Sequence, residues 1–253
     1  RHQHQGTDGQ WGHGISIVDA RSVTIDSVAA VQAWGDGFYV GGTTSANITL
    51  CRVRADHNRR QGLSVVDVNG MVIRDSVFSH TLSEPGGAGS GIDLEPNGNQ
   101  HVRNVQVLNN TISDNTVDGI SIGMNDAFRS TSTISTVVLR GNTVDNNGLD
   151  AGATRQREGI LISDATGVRV EGNTVTRSHG VGIYVTSGSK NTTVRGNTVT
   201  ATLKAGKYGE SGAGIAMYQD VGTVVTGNTL KNNAGQAIFT SDSQSSISAN
   251  TVS

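Results

Sequence analysis

The chain has 253 residues with 19 Lys and Arg against 21 Asp and Glu, a balance that gives no electrostatic grounds for binding nucleic acid or a membrane surface. A single cysteine, Cys51, excludes an intrachain disulfide, and no apolar run reaches the ~20 residues that a membrane-crossing helix needs. The 34 glycines, two prolines and low aromatic content fit one long repetitive all-β domain, residues 1–253. The chain opens at Arg1 without Met and closes at Ser253 just after a repeat unit, so it reads as a piece of a longer parent.

In chain order, one unit recurs as x-Gly-apolar-x-apolar. It stands at His13-Gly14-Ile15-Ser16-Ile17, Asp36-Gly37-Phe38-Tyr39-Val40, Gln61-Gly62-Leu63-Ser64-Val65 and Gly91-Ile92-Asp93-Leu94. It returns at Asp118-Gly119-Ile120-Ser121-Ile122, Glu158-Gly159-Ile160-Leu161-Ile162, Gly182-Ile183-Tyr184-Val185, Gly214-Ile215-Ala216-Met217 and, decayed, at Ala237-Ile238-Phe239-Thr240. Period-two alternation predicts a short strand at each. A second unit falls between copies, clearest as VVLRGNTV at 137–144, VRVEGNTV at 168–175, TTVRGNTV at 192–199 and TVVTGNTL at 223–230. Two short strands per turn, at a period of about 22 to 35 residues and without helical periodicity, predict a β-solenoid.

Stacked turns lie ~4.8 Å apart, a spacing at which identical amides hydrogen-bond up the stack. Asn110, Asn142, Asn173, Asn197, Asn228 and Asn250 are therefore expected to form a ladder. Ser27, Arg52 and Ser76 hold that place in the first three turns, so the ladder is expected to start after them.

Insertions at 79–89, 145–157 and 201–212 all precede the first strand of a turn and should build one wall beside its sheet. Residues 125–135 should build the opposite wall. A groove over the outward face of that sheet is the expected site, with loops carrying function on a rigid scaffold. Its floor is the outward column Tyr39, Ser64, Asp93, Ser121, Leu161, Tyr184, Ala216, Phe239. The residues before the glycines, among them Asp36, Gln61, Asp118 and Glu158, would point inward under strict alternation. Their polarity suggests that they face out at a corner where alternation fails.

Asp93 and Glu95 are the strongest chemical signal. On one strand face their Cα atoms are ~6.5 to 7 Å apart, close enough to perturb each other's ionisation and leave one protonated near neutrality. Asp36 and Asp118, on nearby turns, are candidates to join them as catalytic groups. Tyr39, Arg59, Arg60, Gln61, Glu158 and Tyr184 are candidate substrate contacts, the arginines for a carboxylate or sulfate and the tyrosines for stacking on sugar rings. Structural readings stand beside these: the acids as turn residues or as partners of Arg59 and Arg60, and His13 and His57 as plain hydrogen-bonding residues. No Cys/His spacing for zinc occurs; Asp93, Glu95 and Asp118 suit Ca²⁺ as an optional ion, and no cofactor is required.

The repeat resembles the right-handed parallel β-helix of pectate lyases, alginate epimerases, polygalacturonase-type hydrolases and phage tailspikes. The stretches Trp11-Gly12-His13-Gly14-Ile15, Trp34-Gly35-Asp36-Gly37-Phe38, Asn58-Arg59-Arg60-Gln61-Gly62 and Gly91-Ile92-Asp93-Leu94-Glu95-Pro96-Asn97 are similar to features of β-helix proteins acting on polysaccharides. The resemblance implies a single-stranded right-handed parallel β-helix, secreted or on a virion surface, that meets a polysaccharide. It implies hydrolysis by carboxylates on adjacent coils first. A lyase or C5-epimerase on a uronate polymer is the second possibility, and a non-catalytic glycan-binding or tailspike module the third.

Overall fold

The structure is a computed structural model and describes residues 11–82, 88–149, 157–204 and 209–253. Among these the chain winds through nine coils and builds three wholly parallel sheets of nine, ten and nine strands. In the first sheet the strands Ile15–Val18, Phe38–Gly41, Leu63–Val65, Ile92–Leu94, Ile120–Ile122, Ile160–Ser163, Ile183–Thr186, Ile215–Tyr218 and Ile238–Ser241 pair in chain order, one from each of coils 1 to 9. Their register puts Ser16, Tyr39, Ser64, Asp93, Ser121, Leu161, Tyr184, Ala216 and Phe239 side by side, reproducing the predicted outward column.

Each coil contributes to three sheets, not two, and coil 6 carries an extra short strand, Ala165–Thr166, in the second. The second sequence unit breaks at its centre: in coil 6 Arg169–Glu171 belongs to the second sheet and Thr174–Thr176 to the third. The break is a left-handed residue, Gly172 at φ 62°, matched by Gly141, Gly196 and Gly227. Glycine takes this conformation without a Cβ penalty, and the chain turns there.

The interior is filled by Val, Ile and Leu from all three sheets, most of them inaccessible to solvent. At the bend between the second and third sheets the asparagine ladder forms. Asn142 Nδ2 donates to Asn173 Oδ1 at 2.9 Å and Asn173 Nδ2 to Asn197 Oδ1 at 3.0 Å, and each amide also donates to a backbone carbonyl of the preceding coil. In the first coils the register differs from the predicted one. Val28 and Val53 hold the ladder position; Ser27 and Arg52 occupy the left-handed place just before it. Ser76 does join the ladder, its backbone N–H bonding Asn110 Oδ1 at 3.0 Å. A second, shorter ladder, not anticipated from sequence, runs at the far end of the third sheet, where Asn115 Nδ2 donates to Asn147 Oδ1 at 2.8 Å.

The recurring glycine at the start of the first-sheet strands of coils 1 to 8 faces inward. A Cβ on Gly91 would stand 2.4 Å from Ile112 Cγ2 and 2.8 Å from the Gly119 carbonyl oxygen. Since Gly91 and Ile92 both turn toward the core, alternation breaks there, and the residue before the glycine is thrown to the outward side. Gly119→Ala, whose Cβ would lie 2.6 Å from Val144 Cγ1 and from the Gly159 carbonyl, is expected to lower the melting temperature more than any exposed Ala substitution. Thermal unfolding followed by circular dichroism checks this.

Candidate functional site

The pre-glycine residues stack coil on coil through the backbone: Gly37 N–H bonds the Gln61 carbonyl, Gly62 the Ser90 carbonyl, Gly91 the Asp118 carbonyl and Gly119 the Glu158 carbonyl. This column runs alongside the outward column of the first sheet, and its side chains meet Asp93. Gln61 Nε2 donates to Asp93 Oδ2 at 2.6 Å, while Gln61 Oε1 accepts from the N–H groups of Gly89 and Ser90. Gln61, expected as a substrate contact, thus spends its amide on the protein and holds Asp93 in place.

The acids face outward but are covered. Asp93 is 6 % exposed, Asp36 1 % and Asp118 0 %; Glu158 is buried too, and Glu95 is half-buried. Burial pushes the Asp93 carboxyl well above the ordinary carboxylate range, Glu95 and Asp118 push it further, a Ser121 bond opposes them, and Asp36 adds to the rise. Asp93 accordingly keeps its proton to higher pH than a solvent-exposed aspartate does. Asp118 Oδ1 accepts from the Glu158 N–H at 2.9 Å and Asp36 Oδ1 from the Gln61 N–H at 3.1 Å.

Next to the acids lies a second subcluster. Asp36 N–H donates to His13 Nδ1 at 3.0 Å, so a neutral His13 ring carries its proton on the buried Nε2. His13 stacks on Tyr39 with ring centres 4.7 Å apart, and Trp11, largely exposed, meets His13 edge-on. Burial and the Asp36 charge raise the Tyr39 phenol, with Arg60 opposing, so Tyr39 stays protonated at neutral pH. Arg60 Nε lies 3.9 Å from Asp36 Oδ1, whereas the Arg59 guanidinium covers the Trp34 ring at 4.3 Å. Tyr184 is three coils beyond Asp93, its hydroxyl 3.3 Å from Glu210 Oε1.

Sequence reasoning passed over Trp11 as a site residue; its signal was an aromatic two residues ahead of His13. The predicted walls at 79–89, 145–157 and 201–212 fall partly outside the described residues. Residues 125–132, expected as the opposite wall, form a loop with a short 3₁₀ turn, Asp126–Phe128, and the second-sheet strand begins inside the predicted insertion at Thr133.

Among the described residues the side chains grouped tightly enough for a metal are Asp56, His57 and His80, on the third sheet and away from the acids. His57 and His80 stack at 4.7 Å, with Nδ1 atoms 3.0 and 2.9 Å from the two Asp56 oxygens. Arg54 and Ser79 also donate to that carboxylate; burial works against its charge, but these bonds hold it below the usual range. With two donors on each oxygen the trio is a complete hydrogen-bonded network. Asp93, Glu95 and Asp118, the set expected to suit Ca²⁺, are not drawn together as tightly as this trio among the described residues.

The sequence matches the right handed beta helix region family over residues 7–153, 102–199 and 159–253. The chain belongs to that family. Its fold is similar to a point mutant of the periplasmic alginate epimerase AlgG, at TM-score 0.70 and 14 % identity over 91 % of this chain and 50 % of the epimerase. It is also similar to the enzymatically active domain of bacteriophage CBA120 tailspike protein 2 (0.66, 11 % identity, 95 % of this chain and 37 % of that one). PfbA, a surface adhesin of Streptococcus pneumoniae, gives 0.61 at 13 % identity, over 94 % of this chain and 60 % of the adhesin. The chain thus spans half or less of the first two β-helix chains it matches. No curated protein matches it.

Proposed function

We propose that this β-helix is a glycoside hydrolase acting on an extracellular polysaccharide, outside the cell or on a virion surface, with Asp93 and Glu95 as its acids. The observation that carries the reading is Asp93, a buried carboxyl whose hold on its proton is strengthened by burial and by further carboxyl groups on the outward face of the first sheet. Asp93 gives its proton to the glycosidic oxygen as the bond to the anomeric carbon breaks. Glu95, half-buried and two residues along the chain, takes a proton from the water that adds to that carbon, as the two-carboxyl mechanism requires. Trp11 and Tyr39 offer ring faces to sugars. The similarity to a tailspike domain described as enzymatically active and to an alginate epimerase supports a polysaccharide substrate.

The test is a panel of neutral and uronate-containing polymers. New reducing ends without absorbance from a C4–C5 double bond are expected. The double bond would mark a lyase, and binding without either product a glycan-binding module like the adhesin. A raised phenol makes Tyr39 a poor base for abstracting a C5 proton, which is why the lyase and epimerase readings rank second. Two variants extend the test. Glu95→Gln is expected to lose roughly 10²-fold or more in kcat with the melt unchanged. Trp11→Ala is expected to raise KM several-fold with kcat nearly intact, because a stacking platform outside the reacting centre contributes uniform binding. Steady-state kinetics on the polymer that proves to be cleaved reads both.

A further inference from the structure

In coils 3 to 6 the inward positions of the second sheet are apolar. One column is Val68, Val102, Ile134, Ala165, and the next is Met71, Val105, Val137, Val168, all buried. Following the same register into coils 7 to 9 changes the chemistry. The first column continues as Ser189, Asp220, Ser243 and the second as Thr192, Thr223, Ser245. Asp220 and Thr223 thus stand where coil 4 has Val102 and Val105. Asp220 is 1 % exposed, yet among the described residues neither carboxylate oxygen has a hydrogen-bond partner. The buried hydroxyls of Thr192, Thr223 and Ser243 have none either. Ser189 donates to the carbonyls of Ile162 and Thr186 and keeps its oxygen lone pairs. A lone carboxylate in an apolar solenoid interior carries a large desolvation cost unless a counter-charge accompanies it.

We propose that the interior of coils 7 to 9 holds a hard cation, bound by the Asp220 carboxylate with hydroxyl oxygens of Thr192, Thr223 and Ser243. Coils ~4.8 Å apart let ligands from three successive coils converge on one ion. An all-oxygen set selects a hard ion over a transition metal. One carboxylate balances Na⁺; Ca²⁺ with backbone carbonyls completing its shell is the other source. The site is separate from the acids around Asp93 and does not depend on the catalytic reading.

The test is thermal unfolding at equal ionic strength in tetramethylammonium chloride with chelator, in NaCl with chelator, and in CaCl₂. Wild type is expected to melt roughly 5 °C higher in the Na⁺ or the Ca²⁺ arm, the arm that responds naming the ion. Asp220→Asn should lose that response while Asp93→Asn keeps it. Should Asp220→Asn not fold, Asp220→Val, which restores the side chain of coil 4, takes its place. Equal melting in all three salts overturns the proposal. So does a response that survives in Asp220→Asn, or one that disappears in Asp93→Asn alone, which would assign the ion to the groove.

Discussion

Asp93→Asn is expected to abolish turnover and, above acidic pH, to make the protein more stable. Burial and the Glu95 and Asp118 charges raise the folded-state value of this carboxyl, whereas in the unfolded chain it titrates near 3.9. The folded state therefore binds the proton more tightly than the unfolded state. Its contribution to stability is full below the unfolded value and is lost as pH rises through the folded one, where a charge must be held without water. Asparagine never carries that charge and still offers Gln61 Nε2 an acceptor. The melting curves of variant and wild type should coincide in acid and separate above it, the variant melting higher. Activity should fall by about 10² to 10⁴, the usual contribution of a general acid. The wild-type pH–rate profile should be bell-shaped, its limbs belonging to the coupled carboxyl group and not to Asp93 alone. A variant that keeps its rate on the cleaved polymer, or that melts below wild type at neutral pH, would remove Asp93 from the acid role.

The outward column was legible in the sequence because the apolar-x-apolar pattern has period two and the register of a solenoid is fixed by its buried face. Asp93 over Ser64 and beside Ser121 needs no other information. The column of acids before the glycines was harder, since alternation alone turns Asp36 and Asp118 inward. The inward glycine, where a Cβ would strike the third sheet, reverses that, and no sequence period reports such a collision. The third strand of each coil was hidden because Gly172 and Asn173 lie inside what reads as one β-rich run, and the turn is a single left-handed residue. Where Arg52 holds that residue's place the same turn has no glycine to mark it, which is why the ladder position was assigned one residue early. Burial of the acids was not legible: it depends on how neighbouring coils cover the face. Asp220 carried a signal that only the register exposes, as the one acid in a column otherwise of Val, Ile, Ala and Ser.

Asn173→Ala is expected to be the most destabilising polar substitution in the second-to-third-sheet bend and to leave the chemistry intact. The Asn173 side chain accepts from the Asn142 N–H and Nδ2, both at 2.9 Å, and donates to the Leu139 carbonyl and to Asn197 Oδ1, both at 3.0 Å. Truncation leaves the Asn142 N–H buried without a partner, at about 1–3 kcal/mol, and strips one bond from each of the Asn142 and Asn197 amides and the Leu139 carbonyl, so a loss on the order of 3 kcal/mol follows. In a chain of this size that is roughly 6–12 °C in melting temperature. Asn250→Ala, in the last coil and half-buried, removes a similar amide where water can replace it and should cost much less. The contrast tests the mechanism, because equal losses at both positions would point to local conformational preference and not to buried polar groups left unpaired. The bend lies between the second and third sheets while Asp93 sits on the first, so kcat of folded Asn173→Ala should match wild type. Unchanged melting with lost activity would place this asparagine in the site.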